Sequence, residues 1–131
     1  DRAVSDGVAL TISGRKRYFK LDRKPPYCDE EGFTKWKRQR GGIRRAAMNH
    51  PVQGSGADVM KQAMIFLLPY MRRIGGKQVG MVHDELVYEV PLTHAEEAAS
   101  MVAEQMERAA ACFIKQLPIP ADVHVTKEWK K

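Results

Sequence analysis

The stretch Val79-Gly80-Met81-Val82-His83-Asp84-Glu85-Leu86-Val87-Tyr88-Glu89-Val90 decides how the rest of the chain is read. Two runs rich in β-branched apolar residues flank His83, Asp84 and Glu85, the pattern of a tight β-hairpin with a three-residue polar tip. Strands of this kind can hold a carboxylate in a fixed place, partly shielded from water, where it can grip a divalent cation. Aspartate is also common at turns, because its side chain bonds nearby backbone amides. Taken alone, the stretch leaves a structural turn and a metal site both open.

Downstream of the hairpin, Thr93 and Glu96 stand at capping-box spacing. Ala98, Val102, Met106, Ala109 and Phe113 then mark the apolar face of a helix running to about Gln116, with Glu96, Glu97, Glu104 and Glu107 on its solvated side. Pro118 and Pro120 bracket a break. Residues 121–125 read as a last short strand, and the basic tail carries Trp129, expected to pack back.

Upstream, Ser55 and Asp58 suit a helix start. Val59, Ala63, Phe66 and Tyr70, with Met60, Met64, Leu67 and Met71, form a broad apolar face beyond it. That methionine stripe reads as core. Pro69 should kink this helix and Gly75-Gly76 should end it. Thr34 to Asn49 reads as an earlier helix, weakened at Gly41-Gly42, and Pro51 disfavours a helical His50. Arg45 and Asn49 are four apart and share a face, with Gln53 just past the proline turn. Arg, Asn and Gln can donate hydrogen bonds to the minor-groove acceptors that every base pair presents in nearly the same way. A cap-and-turn cluster is the plainer reading of the same three residues. Near the start, Val8 to Ser13 and Lys16 to Leu21 flank Gly14-Arg15, a β-hairpin with the basic tip Arg15-Lys16-Arg17. Residues 24–32, with Pro25-Pro26 and Asp29-Glu30-Glu31, read as a loop. The predicted order is hairpin, helix, helix, hairpin, helix, strand: an α+β fold with helices on one face of an antiparallel sheet.

Composition narrows the function. The 131 residues suit one domain or a large piece of one, and the 44% hydrophobic content is enough for a core. No apolar run is long enough to span a bilayer and no signal peptide opens the chain, so a cytoplasmic protein without a membrane partner is expected. Cys28 and Cys112 lie in dissimilar surroundings and read as incidental thiols. The chain begins at Asp1 without Met and reads as part of something longer. Of the formal net charge of +6, residues 1–48 hold 13 Lys/Arg against 6 Asp/Glu, while residues 49–131 hold 9 against 10. The excess positive charge therefore sits in the first third, as in a phosphate-contacting surface or a solvated basic arm.

Three stretches together resemble the C-terminal part of a family A (DNA polymerase I-like) DNA polymerase. Residues 45–58, Arg-Ala-Ala-Met-Asn-His-Pro-Val-Gln-Gly-Ser-Gly-Ala-Asp, resemble the segment that follows the fingers and re-enters the palm. Val82-His83-Asp84-Glu85-Leu86 matches the family's motif C, and residues 11–18 resemble its upstream Gly-Arg-Arg hairpin. Order and spacing agree with the family from about Val8 to Trp129.

This resemblance implies a palm-type antiparallel sheet and particular roles. Asp84 would be the motif C carboxylate that binds two catalytic Mg²⁺ ions, with Glu85 beside it in the acidic patch and His83 near the primer end. Arg45, Asn49 and Gln53 would contact the minor groove, and Arg15 and Arg17 the DNA backbone. Residues 1–33 would be the basic hairpin and loop, 34–76 the helices contacting primer–template, and 77–131 the motif C hairpin, helix and terminal strand. The implied activity is template-directed nucleotidyl transfer from a dNTP to a primer 3′-hydroxyl. One carboxylate cannot hold two hard cations. The family's second, from motif A, and its fingers helix are absent from this sequence, so an N-terminal part of the polymerase is implied as partner, and the segment alone should be inactive. A nucleoid or a phage-infected cell would suit such an enzyme. The chain departs from the family at 22–32, which is longer and more acidic, at Gly41-Gly42, and at His50. Two rival readings are a non-catalytic nucleic-acid-binding module of palm-like shape and a small metal-dependent hydrolase built on His83, Asp84 and Glu85. The latter would draw further ligands from His50, Asp58 or His124.

Overall fold

The structure, a computed structural model, describes residues 6–20, 22 and 29–129. Expectations for Leu21, for the proline loop at 24–28 and for Cys28 lie outside the described residues. In order, the elements are β1 (Val8–Leu10), β2 (Lys16–Tyr18), α1 (Glu30–Ile74), β3 (Lys77–Val82) and β4 (Glu85–Glu89). A 3₁₀ turn (Leu92–His94) and α2 (Ala95–Phe113) complete the list. The chain divides into two compact units, Asp1–Gly56 and Ala57–Lys131.

In the first unit β1 and β2 pair antiparallel, with Val8 opposite Tyr18 and Leu10 opposite Lys16. Thr11 organises the connection. Its N–H donates to the Arg15 carbonyl at 3.0 Å, its carbonyl accepts from Gly14 at 2.9 Å, and its Oγ1 accepts from Arg15 N at 3.1 Å. Gly14 supplies the φ of 83° that this turn demands. Helix α1 begins earlier than predicted. The Asp29 carboxylate accepts from Gly32 N at 2.8 Å, an N-cap, and Glu30 and Glu31 in the first turn suit the helix dipole. Trp36 Nε1 and Gln39 Nε2 both donate to Asp22, at 3.0 Å each.

The breaks expected at Gly41-Gly42 and Pro51 do not occur: α1 is one continuous helix, and it also carries Pro69 within it. Around Pro51 the reason is tertiary. Ala47, His50 and Gly54 form one buried stripe at helical spacing, while Pro51 and Val52 face outward. Ser55 is not a cap. Its hydroxyl donates to the Pro51 carbonyl four residues back, a bond open to Ser within a helix. Asp58 is likewise interior to the helix and buried, so it does not stand at a helix start.

In the second unit α1 ends as predicted. Gly75 adopts φ 74° and Gly76 N donates to Met71 O at 2.8 Å, the Schellman arrangement. Strands β3 and β4 pair antiparallel with Val79 bulged out between Gln78 and Gly80. Leu67, Tyr70, Met71 and Ile74 of α1 pack with Ala98 and Val102 of α2, and Leu86, Tyr88 and Val90 close over them. The period of two in that last trio shows that one face of β4 meets the helices. The strands thus form two separate two-stranded sheets, the second with helices on one face.

Three further expectations are corrected. Thr93 lies in the 3₁₀ turn and α2 starts after His94 with no side-chain cap, so no capping box forms. Residues 121–125 form no strand, because among the described residues nothing pairs with them. Trp129 is 59% exposed and does not pack back. On the supposedly solvated face of α2, Glu97 stands 3.7 Å from Arg73, and Glu107 accepts from Ala121 N at 3.3 Å.

Candidate active site

The β3–β4 tip is tighter than the sequence suggests. Val82 pairs with Glu85, so the turn itself is only His83-Asp84, and Glu85 is the first residue of β4. His83 has φ 54°, while Asp84 is not in the left-handed region. A positive φ at the first loop position is a feature of the hairpin turns that match strand twist. Histidine tolerates this region better than most residues. His83, Asp84 and Glu85 are all exposed. Leu86 and Tyr88 point to the helices, so alternation sends Glu85 to the opposite face of β4.

The carboxylates of Asp84 and Glu85 are hard oxygen donors of the kind Mg²⁺ prefers. No group of three or more His, Cys, Asp or Glu that could hold a metal ion occurs among the described residues. His50 is buried in the first unit, and His124 lies exposed on a segment without regular structure. The two oxygen donors fit a contributed part of a metal site, and among the described residues no self-contained hydrolase site is formed.

In the first unit Arg45, Asn49 and Gln53 follow one another at intervals of four on α1, and all are exposed. Because α1 is continuous through Pro51, Gln53 joins the same face instead of lying past a turn. Three side chains rich in N–H donors thus make one row along an exposed helix face. Arg17 is exposed and lies over the Phe19 ring, 5.3 Å from its centroid. Arg15 is engaged within the chain, its Nη2 donating to the Gly54 carbonyl at 2.9 Å.

Sequence reasoning missed Gly54 and Ser55, which receive the β1–β2 tip. Ile12 N donates to Ser55 Oγ at 2.9 Å. Gly54 was the available signal, since a glycine retained within a helix usually has a packing reason. An open cleft of about 400 Å³ between α2 and residues 117–120, lined by Glu104, Glu107, Arg108 and Leu117, holds none of the predicted site residues.

The fold is that of a polymerase domain segment. The structure is similar to the polymerase domain of Pol1 from M. smegmatis, solved in complex with DNA primer-template and dNTP. The TM-score is 0.66 at 35% identity, over 83% of this chain and 18% of that one. A family model for DNA polymerase family A matches residues 1–131, and the chain belongs to that family. It is 35% identical to the thermostable DNA polymerase I of Thermus thermophilus over 123 residues, 94% of this chain and 13% of that protein. It is 37% identical to DNA polymerase I of Deinococcus radiodurans over 126 residues, 95% of this chain and 12% of that protein. The chain therefore spans about an eighth of the length of these relatives. No helix among the described residues is long and apolar enough to cross a membrane.

Proposed function

We propose that this chain is the C-terminal palm portion of a DNA-directed DNA polymerase and extends a primer on a template once an upstream part supplies the rest of the site. The observation that carries the reading is the hairpin tip. Family membership over the whole chain coincides with an exposed Asp84-Glu85 pair on a two-residue turn held by a packed strand. Asp84 would bind two Mg²⁺ ions together with a carboxylate from the upstream part, with Glu85 completing the acidic patch. When bound, those ions lower the pKa of the primer 3′-hydroxyl and neutralise the triphosphate.

This chain's residues would do the rest by positioning. The packing of Leu86 and Tyr88 fixes where the turn stands, so the carboxylate needs little reorganisation. Arg45, Asn49 and Gln53 would donate to the minor-groove edges of the primer–template duplex, checking its geometry without reading its sequence. His83 would border the primer terminus, and Lys16 and Arg17 would neutralise phosphates.

The test is primer extension by the chain combined with the upstream part of the polymerase. Extension should require Mg²⁺. Asp84→Ala should lower its rate on the order of 10³-fold or more, beyond the 10–100-fold typical of losing an outer partner of a metal site. Unchanged extension by Asp84→Ala would instead establish the non-catalytic binding module. Alone, the chain should bind primer–template weakly and extend nothing, and robust extension by it would refute the shared site.

A further inference from the structure

Two hydrogen bonds spanning 39 and 43 residues tie the tip of the β1–β2 hairpin to one turn of α1: Arg15 Nη2 to Gly54 O and Ile12 N to Ser55 Oγ, each at 2.9 Å. Ser55 uses both capacities of its hydroxyl. The oxygen accepts from the hairpin, and the proton goes to the Pro51 carbonyl. Between these bonds the Thr11 methyl lies against the bare Cα of Gly54. A Cβ on Gly54 would stand 2.5 Å from Thr11 Cγ2 and 3.1 Å from His50 Cε1. Thr11 cannot turn its methyl aside cheaply, because it is buried and its Oγ1 accepts from Arg15 N.

Neither residue is what a helix interior prefers. Glycine there costs backbone entropy, and serine bonding back to a carbonyl four residues earlier weakens and bends a helix. Both suit the docking of the hairpin. Gly54 and Ser55 directly follow Gln53, the last member of the exposed donor row. On the docked hairpin every residue of β2 is exposed, Lys16 and Arg17 among them.

We propose that Gly54 and Ser55 are positioning residues, a latch that holds the basic hairpin in fixed register with the Arg45, Asn49 and Gln53 row so that both grip one DNA duplex together. Lys16 and Arg17 take backbone phosphates while the row meets the minor groove. Arg15 then serves the latch rather than the DNA. The inference rests on the DNA-binding reading above and adds residues that touch no DNA themselves.

The test is the salt dependence of primer–template affinity, measured on the chain combined with the upstream part. Each neutralised phosphate contributes about 0.9 to the slope of log K against log salt. Gly54→Ala should free the hairpin and reduce the slope by about 2. Ser55→Ala should reduce it less, and Ser55→Thr, which keeps the hydroxyl, should restore it. In a Lys16→Ala/Arg17→Ala background, Gly54→Ala should change the slope no further. Far-UV circular dichroism identifies loss of helix, in which case the Ser55 pair carries the test. A wild-type slope in both Gly54→Ala and Ser55→Ala overturns the latch, as does a further drop in the double-alanine background. Failure of the wild-type complex to bind primer–template overturns the DNA-binding reading as well.

Discussion

The two hairpins of this chain are held by opposite means. The β1–β2 hairpin has three-residue strands, and β2 is exposed throughout. Its tip is fixed by specific bonds, from Thr11 within the turn and to Gly54 and Ser55 on α1. The β3–β4 hairpin has longer strands and a minimal turn, and it is fixed by burial through Leu86, Tyr88 and Val90. Its tip residues are exposed. Burial and directional bonding thus leave different things free. In the first hairpin the strand is left to present cations, and in the second the turn is left to present carboxylates. Directional bonds are sensitive to single atoms, whereas a packed face tolerates change at its exposed end but not beneath it.

The largest effect should come from cutting beneath the second hairpin. Leu67 is fully buried in the core that β4 covers. Leu67→Ala should cost about 2–5 kcal/mol, through lost burial and the cavity left behind. In hydrogen exchange the β3 and β4 amides should lose protection while those of Thr11 and Gly14 keep theirs. Equal loss in both hairpins would show that burial holds the first one too. A smaller effect should come from the turn of the first hairpin. Gly14 sits at φ 83° and a Cβ there would meet nothing within 4 Å, so backbone strain is the whole cost of a side chain. Gly14→Ala should cost about 1 kcal/mol. The protection lost should be confined to Gly14 and Arg15. Loss across β3–β4 would break the distinction from the other side.

The second hairpin was legible in the sequence because it is local. Two apolar β-branched runs, a polar interruption and the following Pro91 all lie within about a dozen residues. The same holds for α2, whose residues Ala98, Val102 and Ala109 are buried as the spacing predicts. Helix α1 was misread for the complementary reason. Gly41-Gly42 and Pro51 are local break signals, but around Pro51 a buried stripe through Ala47, His50 and Gly54 outweighs local propensity. The turn that carries Asp84 could be read because turn residues between apolar runs advertise themselves. The engagement of Arg15 could not, since its acceptor is a backbone carbonyl 39 residues away that no side-chain pattern reveals. The strand expected at 121–125 does not form because a strand needs a partner ladder, which a short apolar stretch alone does not supply.

The smallest predicted effect separates burial from bonding inside the packed hairpin itself. The Tyr88 hydroxyl is buried and finds no hydrogen-bond partner among the described residues. Burial disfavours the phenolate and pushes its pKa from 10.0 up to about 12. With the folded value above the unfolded one, this contribution to stability is complete below pH 10. It disappears as pH rises from 10 to about 12. Tyr88→Phe removes both the unpaired hydroxyl and the titration. At pH 7 it should leave stability unchanged or raise it by up to about 1 kcal/mol, because no bond is lost and a desolvation cost goes. Between pH 10 and 12 the variant's denaturation midpoint should fall less steeply than wild type. A net loss of more than about 1 kcal/mol at pH 7 would mean that the hydroxyl is bonded. The second hairpin would then depend on a directional contact as the first one does.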